Sequence, residues 1–110
     1  MRVALVIALS FVLIGCSHGP GIGEDGHLAD HGQPIVVAPQ LSDLEAAIHA
    51  YDVRDNVGIR DIAQSGRVFV VPSGTRVHVL SAAVGRWQVR ILDGDHMGQS
   101  VWATWETLTN

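Results

Sequence analysis

At Gly66 the hydrophobic repeat of this chain changes from about 3.6 residues to two, so the two sides of that glycine call for different element types. Upstream, Leu41, Leu44, Ile48 and Tyr51 recur at steps of three and four, which lays one apolar stripe along a helix from about Asp43 to Asp52. Ser42-Asp43-Leu44-Glu45 has capping-box spacing, with the Ser42 hydroxyl able to take an orphan amide and Glu45 able to reach back. A second short helix is predicted from Val57 to Ser65, turning Ile59 and Ile62 inward, and Gly66 supplies the left-handed residue that stops it. Downstream, Arg67–Val71, Thr75–Leu80, Trp87–Ile91 and Ser100–Thr104 read as strands, and Trp105–Leu108 as one closing turn of 3-10 helix. Pro72-Ser73-Gly74 and the loop bracketed by Asp93-Gly94 and Gly98 supply turns between them. Short strands at such regular spacing cannot bury both faces as a flat sheet. The expected fold is therefore mainly β: a small barrel of four to five strands behind one or two short helices.

The amino-terminal part obeys neither repeat. From Val3 to Ile14 every residue except Ser10 is apolar, with Arg2 as the only charge ahead of the run, which is the layout of an export signal. A permanent membrane helix needs about 20 apolar residues, more than this run provides. Discarding residues 1–15 leaves 95, enough for one domain. Residues 17–40 hold five glycines and three prolines, a composition that reads as a flexible spacer. As a random coil it would hold a domain about 25–30 Å from its anchor. Within it Ile35-Val36-Val37-Ala38 is a short apolar run that reads as an arm packed on the domain. The expected organisation is a signal over 1–15, a spacer over 16–40 and a folded domain over 41–110. The chain has no lysine, and without Arg2 six arginines face eleven acidic residues. That balance argues against a phosphate-binding face and hence against a nucleic-acid partner.

Leu13-Ile14-Gly15-Cys16, an apolar run closing on a small residue before the only cysteine, resembles the lipobox of bacterial lipoproteins. The resemblance implies that Cys16 becomes the first residue of the mature chain and carries a covalent lipid, with no other cofactor. Two or more acyl chains give stable attachment where one gives only reversible binding. Ser17, where some relatives of that class carry Asp, resembles lipoproteins passed to the outer membrane, so the expected address is the cell envelope, facing the periplasm. The segment from Gly66 to Leu108 resembles bacterial SH3-like domains, through Gly66-Arg67-Val68-Phe69, Gly74-Thr75-Arg76-Val77, Trp87 with Val89-Arg90-Ile91-Leu92, Asp93-Gly94, Gly98 and Trp102. That resemblance implies a non-catalytic module binding peptides or cell-wall polymer, with peptidoglycan or an envelope protein as partner.

Five residues are the expected ligand contacts. Trp102 and Trp105 offer flat aromatic area, whereas Trp87 shares its face with Val89 and Ile91 and is expected in the core. Arg76, His78 and Arg90 are expected on the polar face of the second and third strands. An enzyme is not expected, because no nucleophile stands in a recognisable relation to a base. Asp93-Gly94-Asp95-His96 reads as a turn, with His96 exposed. The alternative reading is a metal-binding lipoprotein using the His, Asp and Glu residues of the spacer, foremost His27 and His31 at i, i+4.

Overall fold

The computed structural model describes residues 19–110. The predicted signal, Cys16, Ser17 and His18 lie outside the described residues. The order of elements is β1 (Asp25–Leu28), β2 (Ile35–Val37), α1 (Leu41–Asp52), α2 (Asn56–Gln64), β3 (Phe69–Val71), β4 (Thr75–Ala83), β5 (Arg86–Ile91), β6 (Ser100–Thr104), a 3-10 turn (Trp105–Thr107) and β7 (Leu108–Thr109). One sheet has five strands in the order β6-β5-β4-β1-β7, and β2 pairs with β3 in a second. A single bridge joins them: Ala38 and Trp102 exchange backbone hydrogen bonds, at 3.2 and 2.7 Å. Both sheets face one core of Leu28, Ile35, Val37, Val71, Val77, Val79, Val89, Ile91, Val101 and Ala103. Among the described residues the protein is mainly β with two helices, as expected, although seven strands take part there rather than four or five.

The expected spacer is the main correction. From Gly19 onward it belongs to the fold. β1 lies between β4 and β7, antiparallel to both, with Gly26 opposite Val77 and Leu28 opposite Leu108. β2 pairs with β3, placing Ile35 opposite Val71. Leu28 and Val37 are fully buried. Of the glycines that suggested coil here, Gly26 serves close packing: a Cβ on it would stand 2.6 Å from both the Pro20 Cγ and the Thr109 carbonyl oxygen. Pro20 is itself buried, folded back onto Gly26 by the turn in which Glu24 N–H donates to the Gly21 carbonyl. Ile35–Ala38 does pack on the domain, as half of a two-stranded ribbon.

The helices begin earlier than their patterns suggested. Gln40 is the N-cap of α1, and its carbonyl accepts from Asp43 and Leu44, so Ser42 is already inside the first turn and makes no cap. Glu45, freed from the expected capping box, pairs with Arg86 of β5. In α2 the cap is Asp55, whose side chain accepts from the Gly58 N–H at 2.9 Å. Gly66 has φ +77 and ends the α2 segment as its position predicts.

Beyond Gly66 the strands follow the alternation, with one departure. β4 runs three residues past Leu80, through a bulge: Val79 faces Val89, but Ser81 faces Gln88. The extra residue moves Ser81 to the outer face and brings Ala82 opposite Trp87 on the inner one. A strand whose inward positions shift phase midway looks finished to a period-two count, which is why the alternation ends at Leu80.

Because Leu28 is buried in β1, Leu28→Ala should lower the unfolding free energy by about 2–5 kcal/mol. Urea denaturation checks this; an unchanged midpoint would mean that residues 25–28 do not belong to the core.

Candidate functional site

Two surfaces stand out. The first is the outer face of the five-stranded sheet. Side chains directly opposite on neighbouring antiparallel strands share a face, and the register sets Asp25, His78, Arg90 and Ser100 in one row across β1, β4, β5 and β6. His27 and Arg76 form the next row. Three of the expected contacts, Arg76, His78 and Arg90, are thus brought together as predicted. Sequence reasoning did not place Asp25 and His27 among them.

The charges on this face are partly held. His78 Nδ1 lies 2.6 Å from Asp25 Oδ1. Asp93 reaches in from the β5–β6 loop and accepts from the Arg76 backbone N–H at 3.2 Å and from its Nε at 3.4 Å. Arg90 is exposed and makes no ion pair among the described residues. The other end of the face is covered, since α1 lies against β6 and Arg86 is tied to Glu45 there. Trp102, opposite Gln88, stands at the border, half-buried beside the bridge to Ala38. What remains open is a polar strip over β1, β4 and β5. It can hydrogen-bond a partner bearing carboxylates or amides, with Arg90 as the free cation of the strip among the described residues.

The second surface is a groove of about 500 Å³ at the β4–β5 turn, lined by Pro20, Ala82, Ala83, Gly85, Arg86, Trp87, Trp105, Glu106 and Leu108. Trp105 is 60% exposed and its backbone N–H donates to the Gly85 carbonyl, which fixes residue 105 beside the turn. Trp87 packs on the core with Val89 and Ile91, as expected, and shows its remaining edge to the groove. Trp105 therefore has Trp87 for a neighbour, and Trp102 belongs to the other surface. Nothing in the local sequence brings Pro20 to this place; it arrives through the pairing of β1.

The remaining candidates are dispersed. His27 is on β1 and His31 is in the turn after it with φ +50, so their i, i+4 spacing does not correspond to one helical face. Among the described residues no group of three or more His, Cys, Asp or Glu side chains is placed to hold a metal ion. His96, expected in the open, stacks on Phe69 with ring centroids 3.9 Å apart. Here Phe69, a residue of β3, caps a loop that follows β5, a contact without a local sequence signal. No helix among the described residues is long and apolar enough to cross a membrane. Comparison of the chain with protein-family models, curated proteins and solved structures returns no match.

The two tryptophans of the groove should separate in a thermal melt. Trp105→Ala should change stability by no more than about 0.5 kcal/mol, whereas Trp87→Ala should cost about 2 kcal/mol or more. Equal losses would make Trp105 a core residue.

Proposed function

We propose that this protein is a lipid-anchored lipoprotein of the bacterial envelope whose small β domain is a non-catalytic binding module. The sequence supports the anchor through the order of Arg2, apolar run, Gly15 and Cys16. Short antiparallel strands curled about one core, with a 3-10 turn near the end, support reading the domain as an SH3-like barrel extended at its amino-terminal side by β1 and β2. The observation that carries the binding role is the row of Asp25, His78 and Arg90, flanked by Arg76, on the part of the sheet face that α1 leaves open. A strip of mixed donors and acceptors, on which Arg76 and His78 are held by Asp93 and Asp25 and Arg90 keeps a guanidinium unpaired among the described residues, suits a partner offering carboxylates and amides, such as the peptide stems of cell-wall polymer or an acidic segment of an envelope protein.

The membrane-extracted chain should begin at Cys16 and carry the mass of its acyl groups. An unmodified polypeptide starting at Met1 ends the lipoprotein reading. For the module, the wild-type chain should co-sediment with purified peptidoglycan. Arg90→Ala should weaken that retention by about fivefold, the effect of losing roughly 1 kcal/mol of contact, without shifting the melting temperature. If the polymer retains nothing and crosslinking in native envelope captures no protein through this face, the binding role fails.

A further inference from the structure

The path of residues 19–28 assigns a second partner to the groove. We infer that the end of the domain bearing Trp105, Val84 and the Pro20 groove rests in the headgroup layer of the bilayer that holds the anchor. The inference rests on the reading of Cys16 as the lipidated residue, and adds to it the orientation of the domain on the membrane.

The argument begins with length. Pro20 is buried against Gly26 and lines the groove, and Gly19 lies next to the Leu108 carbonyl. From Pro20 to Cys16 is four residues, which span at most about 14 Å even when fully extended. A lipid on Cys16 therefore enters the bilayer within that distance of the groove. The spacer that would have held the domain well clear is used up in β1 and β2. Whichever part of the domain surrounds Pro20 must lie close to the lipid surface.

That part has the composition an interface favours. Val84, at the tip of the β4–β5 turn, is fully exposed, and Trp105 beside it is more than half exposed. Ala82, Ala83 and Leu108 complete an apolar lining. Tryptophan is favoured at headgroup depth because its ring is apolar and its indole N–H can still be hydrated or hydrogen-bonded. The ionisable groups of the lining are Arg86 and Glu106; Arg86 is tied to Glu45, which leaves the Glu106 carboxylate as the single lining charge that must stay hydrated at the edge of the headgroup layer. The strands then point away from the membrane. The β5–β6 loop, with Met97 exposed, is at the opposite end of β5, about 20 Å away for a strand of six residues. The polar strip of Arg76, His78 and Arg90 runs between the two ends, accessible from the side, where cell-wall polymer or an envelope protein can reach it.

The test uses the full chain extracted with its lipid and reconstituted in phosphatidylethanolamine–phosphatidylglycerol vesicles containing lipids brominated near the headgroup. A fluorescent probe is placed on Val84→Cys or on Met97→Cys; both sites are exposed, and acylation of Cys16 leaves the new thiol as the sole target. The Val84 probe should be quenched about twofold or more relative to the Met97 probe, as expected for interfacial depth against open water. Unlabelled protein controls for the probe: brominated lipid should quench part of the native tryptophan emission, and Trp105→Phe should remove most of that part, the edge of Trp87 in the same groove accounting for the remainder. Equal quenching at the two sites, or tryptophan quenching unchanged by Trp105→Phe, overturns the orientation while a lipidated mass leaves the anchor standing. A chain without lipid on Cys16 overturns both.

Discussion

The fold depends on one insertion: β1 enters the sheet between β4 and β7 and pairs with both. Without it β4 would be a bare edge and β7, only two residues long, would lose its strand partner. The same insertion delivers Leu28 to the core and brings Pro20 over Gly26, closing the inner face where the sheet would otherwise end. A side chain at Gly26 cannot be accommodated without displacing both the ring of Pro20 and the backbone of β7. The smallest residue is therefore placed where two distant parts of the chain meet.

Elements whose contacts are local were legible. The stripe from Leu41 to Tyr51, the stop at Gly66 and the alternation of β4, β5 and β6 all reflect periods that a short window contains. β1 and β2 were not, because four- and three-residue strands lack enough repeats to show a period, and glycine and proline around them mimic coil. Their partners lie far along the chain: Asp25 meets His78, Leu28 meets Leu108 and Ile35 meets Val71. No local composition records such pairings. The capping box failed for a subtler reason, since Ser42 and Glu45 have the right spacing but the helix had already begun at Leu41.

For the site, the alternation of β4 and β5 was enough to gather Arg76, His78 and Arg90 on one face. It could not show that Asp25 holds His78 or that α1 covers the far end of that face, because both facts belong to the packing of other segments. The tryptophans divide in the same way. Trp87 was readable as core from its neighbours Val89 and Ile91, whereas the separation of Trp102 from Trp105 follows from the bridge to Ala38 and the turn at Gly85.

The central position of β1 also governs when the domain can form. A strand near the start of the described chain waits for Leu108 and Thr109, so the five-stranded sheet cannot be completed until those two residues are available to pair. Sheets closed by such distant pairings fold slowly, because the entropy of a long loop is lost before the contact that rewards it is gained. Until then the edge of β4 is open to strands of other chains. A chain built this way acquires its compact form late, once segments some eighty positions apart have met.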